Sequence, residues 1–422
     1  MKNDSSSRAR LWVAAAAVAF YLLFILRTSF AIGGARYFVL FEDAMISMRY
    51  ARHLADGHGF VWNIGEKPIE GFTNLLWVLW MSVAHKLGMS ESKISLFIML
   101  SGIAIMVGIG LVTAKIARKM TSEAWVPVAV LAATMFDYPL VFWTLRGMEV
   151  GALALLVYTL LWLVLENEEE FSFPRTIAMG ALTAGALLIR SDSVVPVGLI
   201  CLYGFLFSSK RWLFAGVIGV FALSAVGGQT VFRKAYFHES LPNTYFLKLY
   251  KISPIARIKR GAFVAIEVVT LHLALPVSIV FASITGLKKD FYKDQQTRRL
   301  FLLGTLFVAQ IGYATYVGGD AWEWMLYANR YMCIGMPALI VLVAVLLSRL
   351  VAENTAEKAA FFVRRLSLGL LLCGGALVAL NLFAKKFPEE GVARTMIFSK
   401  VALATGGAFF FLGLLLRLKD LR

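Results

Sequence analysis

Charged side chains are scarce in this sequence, 16% of 422 residues, whereas 59% are hydrophobic. A soluble domain carries about a quarter charged residues, so water is excluded as the main solvent. Cysteine is scarcer still. Cys201, Cys333 and Cys373 each lie inside an apolar block, with neither paired nor metal-ligand spacing. That excludes a disulfide framework and leaves packing as their role. There are five histidines, and His53, His58 and His238 are too scattered to form a zinc ligand set. Acidic residues are also short, 26 against 42 basic ones, giving a formal net charge of +16. In a soluble protein that excess would suggest nucleic acid as a partner. Here the basic residues lie in short loops between apolar blocks, so membrane topology is the better reading and no nucleic-acid partner is expected.

The apolar blocks are about 15 to 25 residues long, the length a helix needs to cross roughly 30 Å of hydrocarbon. Twelve spans are predicted, over 10–32, 94–114, 124–137, 140–165, 174–190, 194–208, 212–232, 262–286, 299–316, 331–348, 366–384 and 397–416. Segment 74–88 bears tryptophan but is short, and reads as an interfacial or re-entrant helix. Arg8 and Arg10 precede the first block without a small-residue cleavage site, so that block reads as a retained span with a cytoplasmic amino terminus. The short basic loops at 115–119, 210–211, 288–299, 349–365 and 417–422 then all become cytoplasmic. A tally of all Lys and Arg shows no such bias, because 233–260 is basic on the opposite side. With no internal repeat and no Pro/Ser-rich linker, the expectation is a single integral membrane domain over 1–422. Its outer loops would be 33–93, thought to carry the chemistry, 233–261 and 317–330.

The most informative stretch is Phe41-Glu42-Asp43-Ala44-Met45-Ile46-Ser47-Met48-Arg49-Tyr50. It is followed by Gly57-His58-Gly59-Phe60-Val61-Trp62-Asn63 and by Glu70-Gly71-Phe72-Thr73-Asn74. Adjacent carboxylates just beyond a span are costly at a bilayer edge unless they bind something or stay wet. Such a pair can act as a general base or hold a metal, and the plainer alternative is a solvated pair of loop acids. Arg146, Glu149, Arg190 and Asp192 flank apolar blocks and could pair across helices to lock the bundle.

These runs resemble the first outer loop of polyprenyl-phosphate-dependent glycosyltransferases of the GT-C fold, closest in kind to arabinofuranosyltransferases of cell-wall arabinan or pilin. The likeness continues through Gly147-Met148-Glu149, Arg190-Ser191-Asp192, Leu241-Pro242-Asn243-Thr244-Tyr245 with Lys248, and Gly318-Gly319-Asp320 followed by Arg330. It covers roughly the first 335 residues. Glu42 departs from the family pattern, which has Asp there. The resemblance implies an all-α polytopic bundle of about twelve transmembrane helices with outer-face loops and short interfacial helices.

It also implies an inverting transfer of a sugar, foremost D-arabinofuranose, from a polyprenyl-phosphate carrier to a polysaccharide or pilin-like acceptor, among membrane lipids at the outer face of the bacterial cytoplasmic membrane. Mannose or aminoarabinose is the alternative sugar. Glu42 or Asp43 would take the acceptor's proton. Arg49, Lys248, Arg257, Lys259 and Arg260 would face the donor phosphate or lipid. Glu70, Asn74, Glu149, Asn243, Tyr245, Asp320, Trp322 and Arg330 would line the substrate site, with Trp324 a further stacking candidate, although most interfacial aromatics serve as belt residues. A divalent cation, Mg²⁺, Mn²⁺ or Ca²⁺ held by Glu42 and Asp43, stays open. Two rivals of other classes are a lipid-linked-sugar transporter or flippase, and a non-catalytic scaffold. A transporter would need polar residues deep in several spans and inverted internal symmetry; neither is evident, though Gln229 and Gln310 lie within apolar blocks.

Overall fold

The computed structural model describes residues 2–246, 250, 252–284, 293–320, 327–352, 356–383 and 407. Helix α1 (Lys2–Arg27) leads into an antiparallel hairpin of β1 (Ser29–Ile32) and β2 (Ala35–Phe38), with Ser29 opposite Phe38. Three helices follow: α2 (Glu42–Ala55), α3 (Leu75–Lys86) and α4 (Glu91–Arg118). Next come α5 (Val126–Met135), α6 (Tyr138–Leu145), α7 (Val150–Glu169), α8 (Phe173–Ile189), α9 (Val194–Phe207) and α10 (Arg211–Tyr236). After the single turn α11 (Asn243–Tyr245) the chain continues through α12 (Pro254–Leu271), α13 (Ala274–Ile284), α14 (Gln295–Val317), α15 (Met336–Ala352) and α16 (Ala356–Phe383).

Among the described residues, seven helices are long and apolar enough to cross a membrane, and two bent pairs, α5 with α6 and α12 with α13, each pass that test together. The apolar helices over Phe173–Ile189 and Ser191–Phe207 are shorter. Apolar helical segments overlap eleven of the twelve expected spans, but only seven, or nine with the bent pairs, are long and apolar enough to cross. The twelfth, 397–416, lies outside the described residues.

Three boundaries differ from expectation, each for a local reason. The first span stops at Arg27, and residues 29–32 turn back as a strand, with Gly33 and Gly34 supplying the positive φ of the hairpin turn. The block 140–165 is not one helix. It breaks after Leu145 because Gly147 adopts φ +83°, and α7 begins afresh at Val150. Segment 262–286 bends by 83° between α12 and α13, and α12 begins earlier, at Pro254. The acid pair, expected in a loop, occupies the first turn of α2.

By contacts the chain forms two compact units. The first comprises Met1–Ile116 and Pro127–Ser253, the second Ala117–Val126 and Pro254–Arg422. In the first, α8 packs along α10 and α7, and α2 along α3. Small residues allow close approaches: a Cβ at Gly102 on α4 would meet the Thr144 carbonyl oxygen at 2.8 Å. Asp137 starts α6 by accepting from the Leu140 backbone N–H at 3.2 Å, and the Tyr21 hydroxyl donates to the Met135 carbonyl at the same break. In the second unit, α12 lies against α14 and α16, and α13 against α16. Val264, Val268, Phe307, Ala314, Met332 and Leu339 form its core.

The closest approach in the second unit is at Gly261, where a Cβ would fall 2.1 Å from the Thr315 carbonyl oxygen. Gly261→Ala should therefore force α12 and α14 apart and cost about 1–3 kcal/mol, read as a lower Tm in detergent. Gly312→Ala on α14, where nothing lies within 4 Å, should leave Tm unchanged; an equal fall in both would contradict the packing described.

Candidate functional site

At one end of the first unit, residues remote in sequence are joined by a chain of buried polar contacts. Helix α2 buries Ala44, Ser47, Met48, Ala51 and Ala55 on one face, the spacing of a helix with one apolar stripe. Ser47 Oγ donates to Asn74 Oδ1 at 3.0 Å, and Asn74 Nδ2 donates to Glu149 Oε2 at 2.9 Å. The other Glu149 oxygen accepts from Arg190 Nη1 at 2.6 Å, and Arg190 turns its remaining nitrogens to Asp192 at 2.9 and 2.5 Å. Glu149 and Asn74 are buried. Ionised groups in such a place persist only when their partners are complete.

The loop 57–74 is built residue by residue onto this frame. Tyr50 Oη donates to the Ile69 carbonyl at 2.6 Å and accepts from the Gly71 N–H at 3.1 Å. A Cβ at Gly71 would come within 2.8 Å of that hydroxyl, which accounts for the glycine. Phe72 packs edge-on to Tyr50, with ring centroids 4.9 Å apart. Glu70 is buried, and both of its carboxylate oxygens accept from Arg233 Nε, at 3.0 and 2.8 Å. Its carbonyl accepts from the Asn243 N–H at 3.1 Å. Gly59, at φ +80°, lies where a Cβ would meet Tyr236 Oη at 2.3 Å, and that hydroxyl accepts from the Phe60 N–H. Arg49 donates to the Trp62 carbonyl and to Asn63 Oδ1, with its guanidinium carbon 4.2 Å from the centre of the Trp62 ring. Asn243 and Tyr245 are exposed.

The acid pair opens α2. Phe41, the residue before it, is buried edge-on against Trp143 at 4.9 Å, and its N–H donates to the Arg146 carbonyl at 2.8 Å. Glu42 is exposed, on the face shared with Met45 and Arg49, whereas Asp43 is partly buried. Asp43 precedes Ser47 by one helical turn and so lies on the side of the Asn74–Glu149 chain. The helix dipole favours negative charge at this end.

In the second unit the Gly318-Gly319-Asp320 turn ends α14, with Gly318 at φ +95° and Gly319 at φ +78°. Asp320 is buried and accepts from Arg330 through its backbone N–H at 3.1 Å, Nε at 3.0 Å and Nη2 at 3.1 Å. Arg260 donates to the Gly318 and Asp320 carbonyls at 2.6 and 2.9 Å, and Arg257 to the Tyr316 carbonyl at 2.8 Å. Lys259 is exposed. Lys248, Trp322 and Trp324 lie outside the described residues.

Glu149, Arg190 and Asp192 thus form the cross-helix lock expected of them, but Arg146 does not join it. Sequence reasoning overlooked Arg233, Ser47 and Tyr236. Arg233 reads only as a basic residue at the end of an apolar block, and nothing local links it to a glutamate 163 positions away. As for a metal, no three His, Cys, Asp or Glu side chains converge among the described residues. Glu42 and Asp43, neighbours on a helix, point about 100° apart.

Burial raises the Glu70 carboxyl above its ordinary value of 4.5, and Arg233 opposes that rise. A raised carboxyl binds its proton more tightly folded than unfolded, so its contribution to stability falls as pH rises through the folded value. Arg233→Met removes the opposing charge and should destabilise the protein by about 3–5 kcal/mol at neutral pH. Tm should recover as pH is lowered towards the Glu70 titration, and adding Glu70→Gln should restore most of it at neutral pH. A loss that neither acid nor the second substitution relieves would contradict the pairing.

No protein-family model and no curated relative matches this chain. A solved structure does: the crystal structure of ArnT from Cupriavidus metallidurans in the apo state aligns with 96% of this chain and 74% of its own, at a TM-score of 0.53 and 14% identity. At that identity the likeness concerns the fold, and this chain is an all-α polytopic membrane protein of the GT-C type.

Proposed function

We propose that this protein is an inverting glycosyltransferase that takes a sugar, foremost D-arabinofuranose, from a polyprenyl-phosphate carrier and attaches it to a polysaccharide or pilin-like acceptor. It works at the outer face of the bacterial cytoplasmic membrane. The observation that carries this reading is the acid pair at the start of α2, presented beside a polar network whose own carboxylates Glu70 and Glu149 are already committed to Arg233 and Arg190. The GT-C fold supports it.

An acceptor hydroxyl is a weak nucleophile at neutral pH and needs a carboxylate to take its proton as the bond forms. The hydroxyl oxygen attacks the anomeric carbon, the bond from that carbon to the phosphate oxygen breaks, and polyprenyl phosphate departs with the electron pair. Asp43, on the side of the polar network, is the preferred base, and Glu42, more exposed, the second choice. Glu70, Asn74 and Glu149 act on this reading as positioning residues for the acid-pair end of the first unit. Asn243 and Tyr245, exposed in the first unit, are proposed for the sugar or acceptor, and in the second unit the exposed Lys259 for a lipid headgroup. Another carrier-linked sugar, mannose or aminoarabinose, would use the same chemistry.

Purified protein incubated with a panel of polyprenyl-phosphate sugars should release polyprenyl phosphate. Asp43→Asn should slow that release by about 10²–10⁴-fold, the usual worth of a general base, with Tm unchanged, and Glu42→Gln should cost less. Full activity in the Asp43→Asn, Glu42→Gln double variant would exclude the pair as the base.

A further inference from the structure

The arginines at the motif end of the first unit are not equivalent. Arg190 is matched to Glu149 and Asp192, Arg233 through Nε to Glu70 although its Nη2 is buried without a partner, and Arg49 to the Trp62–Asn63 turn. Arg146 is different. Its Nε is fully buried, and its guanidinium has no hydrogen-bond or ion-pair partner among the described residues. Both oxygens of Glu149 are engaged by Asn74 and Arg190.

The main chain at this point, by contrast, is clamped. The Arg146 carbonyl accepts from the Phe41 N–H at 2.8 Å, and the Gly147 carbonyl accepts from Trp77 Nε1 at 2.9 Å. Gly147, at φ +83°, is pressed so closely on Leu40 that a Cβ would lie 2.8 Å from its Cδ2. Arg146 is thereby fixed against the residue that immediately precedes Glu42 and Asp43. A partly buried guanidinium whose Nε lacks a partner is costly, and its planar fork of donors suits phosphate.

We infer that Arg146 is the phosphate-recognising residue of the donor site, binding the phosphate of a polyprenyl carrier beside the acid pair. This rests on the function proposed above and assigns to Arg146 a role that Lys248, Arg257, Lys259, Arg260 and Arg49 were expected to fill. Arg49, Arg257 and Arg260 each already donate to backbone carbonyls. A guanidinium at this place would hold the leaving group through the charge it gains as the sugar departs.

The test is binding, measured on the full chain in neutral phosphatidylcholine nanodiscs. The probes are long-chain polyprenyl phosphate, the matching uncharged polyprenol, phosphatidylglycerol and inorganic phosphate. The wild type should prefer polyprenyl phosphate to polyprenol, and inorganic phosphate should compete for it. Arg146→Gln should weaken polyprenyl phosphate by about tenfold or more, as loss of a charge-assisted hydrogen bond does, while leaving polyprenol binding and Tm unchanged. Arg146→Lys should retain part of the affinity.

Unchanged polyprenyl phosphate binding in Arg146→Gln would overturn the assignment. So would equal losses for phosphate and polyprenol, or a fall in Tm in both variants, which would make Arg146 a packing residue. Wild-type binding of phosphatidylglycerol as tight as that of polyprenyl phosphate would reassign the contact to ordinary headgroups. Because binding is read without transfer, a protein that binds through Arg146 yet transfers no sugar refutes the proposed activity. An active wild type with an indifferent Arg146 refutes only this inference.

Discussion

The buried bond between Glu149 and Arg190 is the constraint on which the motif end of the first unit depends. It joins the start of α7 to the end of α8, and through Asn74 and Ser47 it fixes α3 and α2 to the same point. Ion pairs so deeply placed add little net stability by themselves, but losing one partner strands the other charge. Their consequence is positional. Helix α2, which carries the acid pair, has its orientation set by Ser47 on its buried face and by Phe41 at its head. The Glu70–Arg233 pair does the same for the loop 57–74, anchoring it to the end of α10.

This arrangement divides the motif residues into two groups by physical role. Glu70, Gly71, Phe72 and Asn74 lie within one short stretch, yet they meet three elements: Arg233 on α10, Tyr50 on α2, against which both Gly71 and Phe72 lie, and Glu149 beside α7. Glu42, exposed, and Asp43, partly buried, stand at the head of α2 as the proposed base, and Arg146 is the residue proposed to hold the anion. The second unit repeats the logic at its Gly-Gly-Asp turn, where Asp320 is consumed by Arg330 and the turn's carbonyls by Arg260.

Much of the fold was legible because hydrocarbon thickness fixes helix length, and a chain this poor in charge has few places to put loops. What the sequence could not show were breaks inside apolar blocks. The end of α6 at Gly147 and the bend between α12 and α13 depend on a few residues whose effect is conformational, not hydropathic. For the site, the acid pair and the likeness of the flanking motifs were readable. Partner choice was not, since Glu70 and Arg233 are 163 residues apart, and side chains that read as substrate ligands turn out to satisfy each other. Arg146 illustrates the converse: by composition it belonged with the lock, and only the geometry sets it apart.

The most direct test of the account is a cryo-EM structure of the protein with a non-transferable polyprenyl-phosphate sugar bound. The account predicts the phosphate against the Arg146 guanidinium and the anomeric carbon over the first turn of α2, with Glu149, Arg190, Glu70 and Arg233 still paired as described. A headgroup bound away from α2, or one that binds only by breaking the Glu149–Arg190 pair, would contradict it.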